Sequence, residues 1–230
     1  FAQRLDRRIP AAYLIGEARF AGLDFDVDEN VLIPRSPIAE LIEEGFAPWL
    51  DPDQVSSVLD LCCGSGCIGI ACAYAFPLAL VDLADISPAA LDVATRNIER
   101  HDLEGRVRAL RADVYDGLDG ERYDLIVSNP PYVSSAEMQG LPDEYRHEPE
   151  LGLEAGDDGM DVVARILAGG TEYLSPGGIM VVEVGFSADL LIGRYPDVPF
   201  LWLDFQRGGD GVFLLTAEQL DDYRDVFEEG

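Results

Sequence analysis

The sequence predicts an α/β protein, a doubly wound and mostly parallel seven-stranded sheet with an antiparallel last strand, preceded by a β-hairpin. Three observations predict it. From about residue 57 onward, short apolar runs alternate with amphipathic stretches of helical period, the pattern of parallel strands joined by crossover helices. The loop Gly64-Ser65-Gly66 joins the first of these runs to a helical stretch. The last two runs are joined by Arg207-Gly208-Gly209-Asp210-Gly211, too short for a crossover helix, so they pair antiparallel.

Residues 18–35 alternate polar and apolar until Asp28-Glu29-Asn30, which predicts a β-hairpin turning at those polar residues. Ser36-Pro37 then opens a helix, with Ser36 as N-cap and Glu40 in its first turns. Strands are predicted near 57–62, 79–84, 107–111, 123–128, 179–184, 199–205 and 211–216, and helices near 66–75, 88–102, 159–174, 186–193 and 217–227. Ser87-Pro88 marks one helix start, with proline at the first helical position. The stretch 133–158 is long, polar and rich in Pro, Gly and Glu; loops of that length in a compact domain are usually functional. Two parts are expected: 1–45, the end of an amino-terminal region plus a hairpin linker, and 46–230, a catalytic domain.

With 230 residues, 48% of them hydrophobic, the chain is long enough to bury a full core in one domain with a small appendage. No apolar run approaches the ~18 residues of a membrane-spanning helix. The chain opens on Phe1 with no charged-then-apolar leader, which reads as a trimmed fragment and not a secreted precursor. Sixteen basic residues, every one an arginine, face 44 acidic ones for a net charge of −28. Such a field repels phosphates, which argues against direct nucleic-acid binding, and it favours basic partners. Adaptation of the surface to high salt accounts for it equally and says nothing of substrate. Cys62, Cys63, Cys67 and Cys72 match no zinc spacing, and histidines are scarce, with only His101 and His147. They read as small buried residues packing the glycine loop and its helix, with no metal. Clustered free thiols indicate a reducing compartment, hence cytoplasm.

Two stretches carry chemistry. Leu59-Asp60-Leu61-Cys62-Cys63-Gly64-Ser65-Gly66-Cys67-Ile68-Gly69 contains G-x-G-x-x-G, and Asp85 ends the following strand, where an acid grips ribose hydroxyls. Alone, this admits a dinucleotide. Asp60 argues otherwise, because a carboxylate beside the loop opposes a pyrophosphate and attracts an ammonium. Opposite charges 4 Å apart near a surface interact by about 4 kcal/mol before desolvation, and the same magnitude disfavours the phosphates. S-adenosylmethionine (SAM) carries an ammonium and a sulfonium and no phosphate, so charge favours it. Asp113, after the third strand, is placed to accept from an adenine amino group. The second stretch is Asn129-Pro130-Pro131-Tyr132, at the end of the buried run 123–128. In isolation it is an ordinary turn. At the carboxyl end of a central strand, where ligands bind in such sheets, it suits capture of a planar NH2 group. Asn129 Oδ1 and the Pro130 carbonyl take the two amino hydrogens and Tyr132 covers the flat face. The prolines carry no N–H to compete.

Together, Asp60, Gly64, Gly66, Asp85, Asp113 and Asn129 to Tyr132 resemble the amino-methylating class I SAM-dependent methyltransferases. Ile9-Pro10-Ala11-Ala12-Tyr13-Leu14, the run from Val31 to Ile42 and His147-Glu148-Pro149-Glu150-Leu151-Gly152-Leu153 are similar to the HemK/PrmC/PrmB family of protein-(glutamine-N5) methyltransferases. Arg35-Ser36-Pro37-Ile38-Ala39-Glu40 and the His-Glu-Pro-Glu-Leu-Gly-Leu segment are closest to the branch that methylates a glutamine of large-subunit ribosomal protein L-three, whereas the release-factor branch usually reads Arg-Pro-Glu-Thr-Glu. The resemblance implies SAM as cofactor, S-adenosylhomocysteine as product and a basic ribosomal protein as partner. It implies cofactor contacts from Asp60, Gly64, Ser65, Gly66, Asp85, Ile86, Asp113, Val114 and Asn129. Asn129, Pro130 and Tyr132 are expected as the catalytic group, with Pro131 and Arg35 added for substrate. Two alternatives share the pocket chemistry, a release-factor glutamine methyltransferase and a nucleic-acid amino-methyltransferase acting on adenine N6 or cytosine N4. The family also carries an amino-terminal helical domain, and this chain is expected to begin near its end.

Overall fold

A computed structural model describes residues 8–118, 120–138, 140, 143–156 and 158–229. Strands β1 (Glu17–Phe20) and β2 (Leu23–Asp26) form the hairpin; β3 (Ser57–Leu61), β4 (Leu80–Asp85), β5 (Val107–Arg111), β6 (Tyr123–Ser128), β7 (Leu174–Glu183), β8 (Leu201–Trp202) and β9 (Val212–Thr216) form one sheet in the order β5-β4-β3-β6-β7-β9-β8. All neighbours are parallel except at β9, which runs antiparallel to both β7 and β8. The order reverses between β3 and β6, so their carboxyl ends open a crevice. The main helices are α1 (Ala11–Ile15), α2 (Ile38–Glu43), α3 (Cys67–Ala75), α4 (Pro88–Arg100), α5 (Asp161–Tyr173), α6 (Ala188–Arg194), α7 (Ala217–Asp222) and α8 (Arg224–Glu229).

The central strands are rich in apolar residues because both sheet faces are covered, with acids such as Asp60, Asp82 and Asp85 among them. Their side chains divide with period two: Leu125 and Val127 join Ile70, Phe76 and Val81 on one face, while Ile126 joins Leu59, Leu61, Ile166 and Phe213 on the other. Phe20, Phe25, Ile38 and Phe46 belong to the first of these clusters, so the hairpin and α2 share its core. Asn97, fully buried on α4, secures the hairpin by accepting from the Asp26 N–H at 2.7 Å and donating to Asp26 O at 3.0 Å. The same amide donates to Ser65 O at 2.9 Å, so one side chain ties the hairpin to the glycine loop.

Three local expectations are corrected. The hairpin turns at Ala21-Gly22, which take φ of 47° and 80°, the paired positive values of a two-residue hairpin loop. Asp28 makes a separate turn beyond it, accepting from the Asn30 N–H at 3.0 Å. Helix α2 begins at Ile38, and Ser36 is not its N-cap residue. Ser36 Oγ accepts from the Ile38 N–H at 3.2 Å but spends its proton on Glu183 Oε2 at 2.6 Å. The final helix is broken at Tyr223 into α7 and α8, with Thr216 and Gln219 completing a capping box at the start of α7. Ser87 caps α4 as expected, accepting from the Ala90 N–H at 3.3 Å with Pro88 at the first turn.

Candidate active site

A cavity of about 300 Å³ opens at the carboxyl ends of β3, β4 and β6, within the size range of small-molecule sites. Gly64, Asp85, Ile86, Asp113, Val114, Asn129 and Pro131 line it, seven of the residues expected from sequence. Asp60, Ser65, Gly66, Pro130, Tyr132 and Arg35 lie outside its lining.

The glycine loop is shaped by what lies under it. Gly66 has φ of 77°, and a Cβ there would stand 2.7 Å from Leu83 Cδ1. Asp85 holds the loop from β4: Oδ2 accepts from the Gly64 N–H and Oδ1 from the Ser87 N–H, both at 2.9 Å. Burial raises its pKa, with the backbone donors working against that rise. Each carboxylate oxygen keeps a lone pair, which is what two ribose hydroxyls require. Asp60 sits behind the loop and is almost wholly buried. Its Oδ2 accepts from the Gly69 N–H at 2.8 Å, whereas Oδ1 has no hydrogen-bond partner. Burial, helped by the charge of Asp85, pushes its pKa up to about 8. Asp60 is therefore not the half-solvated surface acid its strand-end position suggests.

Ile86 and Val114 supply apolar wall and Asp113 a carboxylate. Arg165 on α5, which no motif announces, lines the cavity too; its guanidinium donates to Asp113 Oδ1 at 2.7 Å and to Asp113 O at 3.1 Å. Asn30, Val31 and Leu32 come from the segment after the hairpin, and Pro149, Leu151, Gly152 and Glu154 from the long loop. That loop is anchored by backbone bonds, Val133 N–H to Leu153 O at 2.8 Å and Ala155 N–H to Val133 O at 3.1 Å. The cavity thus offers three carboxylates, apolar walls and a single arginine already engaged, a donor set that suits a phosphate-free cation such as SAM and opposes a pyrophosphate. The orphaned Asp60 Oδ1 fits the same group, since a buried acceptor without a donor is costly until a cation or N–H approaches.

Tyr132 packs beside the cavity against the turn that follows β7. A Cβ on Gly185 would stand 2.9 Å from the Tyr132 ring, and the Phe186 ring meets it edge-on at 5.7 Å. Arg35 forms a two-pronged pair with Glu148 at 2.8 and 3.0 Å and lies over the Tyr145 ring at 4.8 Å, so it grips the long loop. His101 packs between Phe25 and Tyr74, away from the cavity lining. The four cysteines are free thiols; Cys62 alone lines the cavity. Among the described residues no cluster of His, Cys, Asp and Glu is suited to a metal, and no helix is long and apolar enough to cross a membrane.

Sheet order, glycine loop and the acids at the strand ends define a class I SAM-dependent methyltransferase, and the comparisons agree. The family model for the methyltransferase small domain matches residues 45–141. A methyltransferase of Pyrococcus furiosus superposes with a TM-score of 0.61 at 20% identity, over 94% of this chain and 99% of that one. The ribosomal protein uL3 glutamine methyltransferase of Francisella tularensis is 53% identical over 228 residues, 99% of this chain and 73% of the relative. That of Bordetella pertussis is 50% identical over 220 residues, 95% of this chain and 74% of the relative. The chain belongs to the family of ribosomal protein uL3 glutamine methyltransferases.

Proposed function

We propose that this protein transfers a methyl group from SAM to the side-chain amide nitrogen of a glutamine in ribosomal protein uL3. The observation that carries the reading is Asn129, directly after β6, lining the same cavity as Pro131 and as Asp85 at the end of β4. The names and high identity of the relatives supply the substrate. Residues 46–230 are read as the catalytic domain and 1–45 as the end of a preceding region plus linker.

In this reading Asp85 holds the ribose hydroxyls, Asp113 receives the adenine amino group, and Ile86 and Val114 pack the base. Gly64, Ser65 and Gly66 would let the backbone approach the methionyl part, and the negative charge of Asp60 behind the loop would favour its ammonium. When bound, SAM supplies an electrophilic methyl on a sulfonium. A carboxamide nitrogen is a poor nucleophile because its lone pair is delocalised. Asn129 Oδ1 and the Pro130 carbonyl each accept one amide hydrogen, which concentrates density on nitrogen and aims it along the transfer axis. Pro131 stiffens the segment and Tyr132 covers the amide face and excludes water. The N–C bond forms as the C–S bond breaks, and the surplus proton leaves nitrogen for water. Arg35 serves substrate by fixing the long loop through Glu148.

The net charge of −28 complements a basic ribosomal protein and disfavours direct contact with nucleic acid. Free buried thiols and a ribosomal substrate both suit the cytoplasm. The test is labelled SAM with unmethylated uL3 in a lysate: alkali-stable label at a uL3 glutamine supports the reading, and label in nucleic acid refutes it. Asn129→Ala should lower kcat by at least ~100-fold while SAM affinity holds; full activity in that variant removes Asn129 from the mechanism.

A further inference from the structure

The turn after β7 grips Tyr132 from several directions. Glu183, the last residue of β7 and 7% exposed, receives the phenol on Oε1 at 3.5 Å and the Ser36 hydroxyl on Oε2 at 2.6 Å. Gly185 leaves no room for a side chain between backbone and ring. Phe186 stands edge-on to the ring, and Ser187 Oγ donates to Tyr132 O at 3.0 Å. Ser36 is itself fixed, because its oxygen accepts from the Ile38 N–H at the start of α2. The carboxylate of Glu183 therefore sits between two hydroxyls delivered by separate parts of the chain, one from the linker and one from the Asn-Pro-Pro-Tyr segment. Nothing in the transfer chemistry set out above uses it.

We infer that Glu183 is a positioning residue, buttressed by Ser36, that holds the Tyr132 ring in the orientation needed to cover the substrate amide. The inference rests on the proposed role of Tyr132. At 3.5 Å the phenol bond is at the long limit of a hydrogen bond. Such bonds in free enzymes commonly shorten when substrate seats, and a ring already wedged by Gly185 and Phe186 needs only a small tilt to do so. A buried carboxylate is costly to keep, and its two hydroxyl partners justify the position better than packing does, since Val182 and Val184 beside it are fully buried and apolar.

Three variants separate geometry from charge. Glu183→Gln keeps the length and an acceptor for the phenol; Glu183→Asp keeps the charge but withdraws the carboxylate by one methylene; Tyr132→Phe removes the group acted upon. With uL3 and labelled SAM, Glu183→Asp should lower kcat at least ~10-fold, leave the Kd for SAM within about twofold, and have no further effect in the Tyr132→Phe background. Glu183→Gln should retain most of the wild-type kcat. Equal damage from Gln and Asp, additivity with Tyr132→Phe, or no effect from Asp overturns the inference. A 19F resonance from 3-fluorotyrosine at position 132 needs no substrate. It should be a single sharp line in the wild type and Glu183→Gln and broadened or shifted in Glu183→Asp; an unchanged line in Asp also overturns it. Wild-type protein that leaves uL3 unlabelled instead overturns the proposed substrate, and the 19F arm still decides on Glu183.

Discussion

Replacing Arg35 should cost more stability than replacing its partner Glu148, although the two share the same pair of hydrogen bonds. The bonds are 2.8 and 3.0 Å long, but the Glu148 side chain is 3% exposed and that of Arg35 38%. Arg35→Ala strands a nearly dry carboxylate whose remaining donor is the Ile33 N–H at 3.3 Å. Stranding a buried charge costs ~3–5 kcal/mol, and partial access of water argues for the lower end, about 3 kcal/mol. Glu148→Ala leaves a guanidinium that water already reaches and that keeps the Tyr145 ring beneath it, so about 1–2 kcal/mol is expected. With the carboxylate gone, removing Arg35 as well loses little beyond packing, so the double variant should resemble Glu148→Ala. The cycle then yields a coupling near 3 kcal/mol, above the ~0–1 kcal/mol of exposed pairs. Urea unfolding of the four proteins measures it, and the Kd for SAM should rise in Arg35→Ala because Pro149, Leu151, Gly152 and Glu154 of the gripped loop wall the cavity. A coupling below about 0.5 kcal/mol, or a larger loss from Glu148→Ala than from Arg35→Ala, would show that the loop is held by its backbone bonds alone.

Gly69→Ala should lower stability by ~1–3 kcal/mol through overpacking. Its Cβ would stand 2.2 Å from Leu83 Cδ2 and 3.0 Å from Asp60 Cβ; a thermal midpoint equal to wild type would mean that β4 yields more freely than close packing allows. Burial pushes the Glu183 carboxyl from 4.5 to about 7, so the fold prefers the protonated form. Its contribution is fully present below the unfolded value near 4.5 and is lost as pH rises to about 7, a drop of about 3 kcal/mol. In urea titrations from pH 4 to 8, Glu183→Gln should flatten that part of the decline, and an unchanged slope would contradict it. Cys63, Cys67 and Cys72 are buried, and burial raises their thiol pKa values. A thiol-specific disulfide reagent at pH 8 should therefore leave these three unmodified in the native protein and modify them in urea. SAM should slow any reaction at Cys62, which lines the cavity; rapid native labelling of Cys67 or Cys72 would count against the packed glycine-loop helix.

The sheet was legible because period and punctuation agree along it. Fully apolar runs such as Leu125-Ile126-Val127 can only be buried on both faces, and the Gly-rich link before Val212 is too short for anything but an antiparallel return. The hairpin turn was misplaced for a local reason. Asp28-Glu29-Asn30 carries stronger turn chemistry than Ala21-Gly22, and only the cross-strand register from Glu17 to Asp26 shows which of the two closes the strands. Among the strand-end acids, Asp85 and Asp113 line the cavity because strand ends in this topology face the crevice. Sequence spacing cannot say how deep each one sits, which is why Asp60 lies behind the loop while Asp85 faces the cavity. Arg165 carried no signal at all: it is one exposed arginine on an amphipathic helix until α5 packs and brings it against Asp113.

The same limit hides how residues 30–36 are used: the sequence singles out Arg35 for substrate and Ser36 as an N-cap, and the structure engages both with buried carboxylates. Arg35 and Ser36 are neighbours, yet one grips Glu148 of the long loop and the other Glu183 at the end of β7. The first contact draws the loop against the cavity wall, and the second backs the ring of Tyr132. Asn30, Val31 and Leu32, a few residues earlier, form wall themselves. A shift of this segment would therefore disturb the cavity wall and the Tyr132 ring together, through the carboxylates of Glu148 and Glu183. Each of those carboxylates is buried and takes hydrogen bonds from the linker, Glu148 from Arg35 and Glu183 from Ser36 beside Tyr132, so part of the burial penalty is offset only when the linker is docked. The segment before the doubly wound sheet thereby lines part of the cavity and braces its loop instead of merely preceding it.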